Sequence, residues 1–263
     1  MGDPLPLLAA DEPGPFLEFQ TDGRSDFIIV VDHAGTLIPR RLAKLGLPDS
    51  ELTRHIAWDI GALGVARGVA RALDAPLLSQ TYSRLVIDCN RDPKVASSIP
   101  HISEHREIPG NRNLSAAEKA ARRIEVFEPY HRRIGECIEA RLAADRRVIL
   151  VAQHTMTDVY KGTRREMHAA VLYGRDRRFA GLVLDELRRE PGLIVADNEP
   201  YFVSDETDYT VPYHAEARSL PYVEIEIRQD LVRDDEGQAQ WAARISRALQ
   251  NAHHSFMGGP SKV

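Results

Sequence analysis

Two histidines in this chain each follow a run of apolar, strand-forming residues. His33 comes just after FIIVV (Phe27 to Val31), and His154 ends VILVAQH (Val148 to His154). A histidine at the end of a buried strand is held by stiff backbone and still reaches the cleft that open α/β sheets form at their strand ends. Imidazole there suits metal binding or proton transfer near neutral pH, although capping a turn would explain either residue equally well. A zinc site needs a third protein ligand and a position left for water. Asp59 borders the apolar stripe of an expected helix and is the best third candidate; His55, four residues earlier on the same face, is its rival. An Asp–Arg pair would also account for Asp59.

Two further groups complete the chemistry. Glu224 and Glu226 share one face of YVEIEIR, with Val223, Ile225 and Ile227 on the other. They are either the solvated face of an edge strand or the source of a general base that takes a proton from metal-bound water. Two adjacent carboxylates would also repel and raise one pKa. Arg84, Asp88, Asn90 and Arg91 form a compact polar set. Arginine grips carboxylates through a planar fork, so Arg84 and Arg91 could hold an anionic substrate, with Asn90 adding an amide donor. An internal salt-bridge cluster around Asp88 is the competing explanation.

The elements that must position these residues alternate. Met1 to Asp26, with four prolines from Pro4 to Pro15, reads as a loose lead-in. Phe27 to Val31 is a strand covered on both faces. A helix starts at Pro48-Asp49-Ser50-Glu51 and runs to about Leu73, with Leu52, Ile56, Ile60 and Leu63 as its buried stripe. Strands are expected at Pro76 to Gln80, Arg84 to Cys89, Arg147 to Gln153, Ala169 to Tyr173, Leu193 to Ala196 and Tyr222 to Arg228. Val95 to Leu114 is a long loop of the kind that often carries function. Ser115 to Glu118 is a capping box opening a helix to about Ala144, interrupted at Pro129. Further helices fall near Arg177 to Glu190 and Gly237 to Ala252, and residues 253–263 read as frayed. Asn198 to Arg218 is irregular and a second candidate cleft wall. Strands alternating with helices predict an α/β fold, a three-layer α/β/α sandwich around a mostly parallel or mixed sheet in one domain over 1–263.

Composition removes several classes. The formal net charge is −5, which gives no general electrostatic reason to expect nucleic acid. The pairs Arg122-Arg123 and Arg132-Arg133 read as a solvated helix face beside Glu125 and Glu136. Only Cys89 and Cys137 occur, outside any C-x-x-C pair, so neither a cysteine zinc site nor a disulfide framework is expected. The N-terminus lacks a basic n-region and an apolar h-region, and no apolar run is long enough for a membrane span. A soluble, cytoplasmic protein is the expectation. H-E-x-x-H, G-x-G-x-x-G, the P-loop and G-x-S-x-G are all missing.

At DHAGTLIP (Asp32 to Pro39), HIAWDIGA (His55 to Ala62), YSRLVIDCNRDP (Tyr82 to Pro93), QHTM (Gln153 to Met156) and EIEIRQDL (Glu224 to Leu231) the chain resembles the N-formylglutamate amidohydrolase family, whose fold is akin to the zinc exopeptidases. The resemblance implies zinc held by His33, Asp59 and His154. Carboxypeptidase-like relatives often place a glutamate ligand three residues after the first histidine; here that residue is Thr36, so Asp59 fills the place by resemblance. The resemblance favours Glu226 over Glu224 as catalytic base, and likens Asn90-Arg91 to the pair that grips the substrate carboxylate. It implies a zinc amidohydrolase acting on a small anionic N-acyl amino acid, an N-formyl acidic one such as N-formylglutamate. Arg84 then stabilises the oxyanion, and His214, Arg218 and Tyr209 are candidates for the second carboxylate. The alternatives are a zinc carboxypeptidase, a deacylase for another N-acyl amino acid, or a non-catalytic carboxylate-binding protein on the same fold.

Overall fold

The chain enters its sheet earlier than the N-terminal prolines suggest. In the computed structural model, which describes residues 6–258, Phe16–Phe19 already forms a strand, β1. The expected loose lead-in is therefore tied down from Leu7 on, while residues 1–5 lie outside the described ones. Leu7 is buried, and the amides of Leu7 and Leu8 donate to the Glu125 carboxylate at 2.8 and 2.9 Å. The Tyr82 hydroxyl donates to the Pro13 carbonyl at 2.7 Å.

Strand β2 (Phe27–Val31) is buried at every residue, as a strand covered on both faces must be. The long helix expected up to Leu73 is instead two, α1 (Asp49–Leu52) and α2 (Ala62–Leu73). Gly61 closes the break at the start of α2. Its φ is +81°, and a Cβ there would sit 2.1 Å from the Val232 carbonyl oxygen, so neither the conformation nor the space admits a side chain. Asp59 thus lies in the break, not on a helix face. After β3 (Leu77–Gln80), the segment Arg84 to Cys89 forms buried turns, not the expected strand. An apolar run alone does not distinguish the two. The long loop holds a small hairpin, β4 (Ile102–Ser103) with β5 (Arg106–Glu107).

The capping box at Ser115 and Glu118 opens α3 (Ala116–Arg122). A widened π-turn over Arg123–Phe127 leads into α4 (Glu128–Ala143), so the interruption expected at Pro129 falls just before it. Next come β6 (Ile149–Met156), the hairpin of β7 (Val159–Tyr160) and β8 (Thr163–Arg164), and β9 (Ala169–Leu172). The chain finishes with α5 (Arg178–Arg188), β10 (Val195–Asp197), β11 (Tyr222–Arg228) and α6 (Asp235–Gly258). Strand β6 runs past His154, and α6 continues through 253–258, where fraying was expected; residues 259–263 are not described.

Seven strands form one sheet in the order β1-β3-β2-β6-β11-β9-β10. Pairings are parallel except β1 with β3 and β11 with β9. One face, with Ile29, Val151 and Ile225, packs on Val65 and Val69 of α2, Leu184 of α5 and Ile245 of α6. The other, with Ile28, Val30 and Leu150, packs on Tyr130, Ile134 and Ile138 of α4. This is the three-layer sandwich, and each such buried aliphatic side chain contributes about 1.5–3 kcal/mol. No helix among the described residues is long and apolar enough to cross a membrane.

Arg122 departs from the solvated face assigned to it. It is 1 % exposed. Nη1 donates to the Val86 carbonyl at 2.9 Å and to Asn111 Oδ1 at 2.6 Å, and Nη2 to the Gly110 carbonyl at 3.1 Å. Burial pushes its pKa down to about 10. The guanidinium ties the buried turns after β3 to the loop before α3. Arg122→Met leaves two carbonyls without their donors and is expected to cost roughly 2–4 kcal/mol, read as a lower urea midpoint at unchanged m-value. A loss below about 1 kcal/mol would show that water replaces these bonds.

Candidate active site

The cluster begins at Gly35. A Cβ on this residue would lie 2.3 Å from the Thr81 carbonyl carbon, so only glycine lets the turn after β2 press against the chain leaving β3. Leu37 bridges to Tyr82, and the Ser83 amide donates to the Leu37 carbonyl at 2.8 Å. That contact sets His33 beside Arg84 and Asp88. The break carrying Asp59 is pinned from three sides. The Asp59 amide donates to the His33 carbonyl at 2.9 Å, Ser83 Oγ to the Ala57 carbonyl at 2.7 Å, and Thr155 Oγ1 to the Ile60 carbonyl at 3.0 Å.

His33, Asp59 and His154 meet in this frame, all buried, with one ligand atom from each within 4.8 Å of the others. Asp59 Oδ2 lies 2.9 Å from Nδ1 of His154 and 3.4 Å from Nδ1 of His33. The outer nitrogens face carboxylates. His33 Nε2 is 2.7 Å from Asp88 Oδ1, and His154 Nε2 is 3.6 Å from Asp32 Oδ2. Asp32 is itself held by the Tyr130 hydroxyl, which donates to Oδ1 at 2.9 Å. A carboxylate hydrogen-bonded to the far nitrogen of a metal-ligating histidine fixes the tautomer so that the inner nitrogen offers its lone pair, as Asp88 does for His33; His154 Nε2 and Asp32 Oδ2 make no hydrogen bond. His33 Nδ1 is buried without a hydrogen-bond partner, as a donor atom reserved for an ion would be. Two imidazoles and a carboxylate are a zinc-type donor set, so the residues present fit a divalent cation.

The charges say the same. Burial drives the His154 imidazole pKa down, but Asp32 and Asp59 outweigh it and lift His154 well above its usual range. Burial raises Asp59, yet His33 and His154 hold it far below the ordinary carboxylate value. Burial likewise raises Asp88, and Arg84 and His33 pull it well down. Three buried carboxylates thus draw positive charge into the cluster.

Glu226 stands opposite His154 across the β11–β6 pairing, and Glu224 opposite Ala152. β11 has partners on both sides, so the edge-strand explanation of these glutamates falls away. Burial pushes Glu226 up to about 7, with His154 opposing and Asp59 adding to the rise. Glu226 is half-buried and its Oε2 lacks a hydrogen-bond partner. Glu224 is deeper, and burial pushes it well above the carboxylate range.

Arg84 directs Nε and Nη2 to Asp88 Oδ2 at 3.1 and 2.7 Å and places Nη1 3.5 Å from Asp59 Oδ1. Asn90 is an internal brace. Its Nδ2 donates to Asp208 Oδ1, and its Oδ1 accepts from the Tyr209 and Thr210 amides, each at 3.0 Å. Arg91 donates Nη1 to the Asn90 carbonyl and lies 3.7 Å from Asp208 Oδ1. His55 reaches the cleft but sits 3.1 Å from Glu104, apart from the cluster.

His214 and Arg218 are not where a substrate could meet them. The helical turn Val211–Ala215 aims His214 into the α4 side of the core, where Nε2 lies 3.0 Å from His131 Nδ1. Arg218 faces outward and donates to Glu139 at 2.7 Å. Tyr209 packs against Phe127, His131 and Tyr213. Sequence reasoning did not single out Asp32, although it adjoins His33, nor Tyr160; Glu104 falls in the long loop, and Tyr201, Phe202 and Asp208 in the irregular segment expected as a cleft wall, but no motif marks them individually. The cleft over the cluster measures about 660 Å³. A second recess of about 800 Å³ runs along Arg175 to Arg178. There Arg175 pairs with Glu216 and Asp205, and Arg178 with Asp176. It holds no ligand cluster, so the chemistry belongs to the first.

Comparison with known proteins shows the family. A solved gene product from Agrobacterium tumefaciens is 36% identical, covers 95% of this chain and 99% of its own, and superimposes with a TM-score of 0.92. The N-formylglutamate amidohydrolase from Ralstonia eutropha JMP134 is 22% identical over 94% of this chain and 100% of its own, with a TM-score of 0.70, a likeness of fold. No curated protein matches the chain. The sequence profile of N-formylglutamate amidohydrolase matches residues 25–233, spanning every residue of the cluster from His33 to Glu226. The chain therefore belongs to the N-formylglutamate amidohydrolase family, hydrolases that act on an amide bond.

Proposed function

We propose that the protein is a zinc-dependent amidohydrolase that removes the acyl group, formyl in the family's namesake substrate, from an N-acyl amino acid. The observation that carries this reading is the convergence of two buried Nδ1 atoms on Asp59 Oδ2, each ring backed by a carboxylate, beside a glutamate opposite His154. His33, Asp59 and His154 would hold the ion. When bound, zinc supplies a Lewis acid that lowers the pKa of a water and polarises the acyl carbonyl.

The chain's own groups do the rest. Glu226, with a free Oε2 and a pKa near the working pH, takes the proton of the attacking water and returns it to the leaving amine. Arg84 is locked by Asp88, and its Nη1 is the donor for the developing oxyanion. Arg91, at the cleft wall, binds the α-carboxylate with its guanidinium fork. Glu224 lies deeper on the same face of β11, and burial pushes its carboxyl well above the usual carboxylate range.

Elemental analysis of protein purified without added metal is the first test. About one zinc per chain is expected, lost in His33→Ala or His154→Ala; no uptake of any divalent ion would sink the mechanism. Glu226→Gln is expected to keep the metal and lose roughly 10²–10⁴-fold in kcat, whereas Glu224→Gln, deeper in the site and away from the ion cluster, is expected to stay within a few-fold. The base works deprotonated, so activity falls as pH drops through its pKa. A cation beside Glu226 only lowers that value, so the acid limb of kcat/KM is expected at or below pH 7. Arg91→Ala is expected to raise KM by about tenfold or more with kcat nearly constant, since the carboxylate is held alike in ground and transition states; a kcat loss with constant KM would reassign Arg91.

A further inference from the structure

The cleft asks for a different side chain from glutamate. Formylglutamate carries two carboxylates and would need two cationic contacts, yet every cation lining the cleft already faces a carboxylate. Arg84 is bound to Asp88 and lies 3.5 Å from Asp59. His55 is 3.1 Å from Glu104. Arg91 is the least engaged, 3.7 Å from Asp208, and one α-carboxylate occupies it. Glu104 and Asp208 also line the cleft, Glu104 paired with Arg54 and His55 and Asp208 accepting from Asn90.

The rim of the cleft is apolar. Ile102, Tyr160, Tyr201 and Phe202 line it and are 50, 38, 42 and 61 % exposed. Large exposed apolar side chains gathered around one cleft mark a binding surface. Two of the rings are held in place from behind by Arg165. Its guanidinium lies 5.4 Å from the Tyr160 ring centre and 5.0 Å from that of Tyr201, and it donates to the Thr157 carbonyl at 3.2 Å and to the Tyr201 hydroxyl. A wall fixed before the ligand arrives binds apolar groups without a large ordering penalty. The volume of about 660 Å³ also suits a ligand larger than the roughly dozen non-hydrogen atoms of formylglutamate.

We propose that the substrate is a monoanionic N-acyl amino acid with a large apolar side chain. Arg91 holds its one carboxylate, and Tyr160, Tyr201 and Phe202 cover the side chain. This rests on the hydrolase reading above and narrows it.

The test compares N-formyl-L-phenylalanine, N-formyl-L-glutamate and N-formylglycine with the zinc-loaded enzyme, and measures binding of the products L-phenylalanine and L-glutamate by calorimetry. The expected result is kcat/KM about tenfold or more higher for the phenylalanine compound than for glutamate, with phenylalanine the tighter product. Phe202→Ala is expected to reduce the phenylalanine-to-glycine ratio about tenfold. Equal turnover of all three, preference for formylglutamate, or tighter binding of glutamate overturns the proposal; preference for formylglutamate would also mark Arg165 as the second cation. Turnover of none of them, with phenylalanine still the tighter ligand, sinks the hydrolase reading and leaves the apolar subsite standing.

Discussion

Asp59 Oδ2 sits between two imidazole nitrogens, at 2.9 and 3.4 Å, buried at the floor of the cleft. A buried carboxylate in that position is untenable unless positive charge is brought to it. Asp32 and Asp88 sharpen the demand by adding two more buried acids behind the rings. The surroundings follow from that constraint: Arg84 bridging Asp88 and Asp59, the Tyr130 hydroxyl on Asp32, and amides of Asn90 and Thr155 donating to Asp88 and Asp59. Removing any one partner would leave a charge without compensation, so the cluster behaves as a unit and not as separate ion pairs.

The sheet gives the unit its rigidity. β2, β6 and β11 are adjacent and parallel, so their C-terminal ends lie along one rim. β11 also takes β9 as an antiparallel neighbour. Glu226 is consequently carried by an interior strand, with its backbone bonded on both sides and little freedom to drift from His154. Asp59 comes from outside the sheet; Gly61 lets its segment pass close to Val232, as Gly35 lets the His33 turn press on Thr81.

What could be read from the amino-acid sequence was the part governed by strand periodicity. His33, His154 and Glu226 follow or end apolar or alternating runs, and alternation alone puts Glu224 and Glu226 on one face. Asp59 was expected at the edge of a helix and lies in a break instead, because periodicity carried the helix across Gly61, whose left-handed φ and close approach to Val232 periodicity does not register. Arg84 to Cys89 was misassigned for a related reason. Those turns are buried because Arg122 and Asn111 satisfy carbonyls at Val86 and Leu85, and such pairing is invisible until the chain is folded. His214 and Arg218 carry the right chemistry, but one helical turn directs the first inward and the second outward. Tyr201 and Phe202 fall in the irregular Asn198 to Arg218 segment read as a candidate cleft wall, but their meeting with Tyr160 of the β7–β8 hairpin is decided by tertiary packing and left no trace.

The strand order has a consequence for how the molecule reaches its native state. His33, Asp59, His154 and Glu226 belong to segments scattered over most of the chain, and β6 must insert between β2 and β11 before they can meet. Contacts of such long sequence separation form late, after loop closure over many residues. A partly folded chain that has completed only β2, α2 and β3 owns His33 and Asp59 but neither His154 nor Glu226. The fully assembled cluster is therefore a signature of completed topology, and nascent or misassembled chains have no comparable grip on an ion with which to compete.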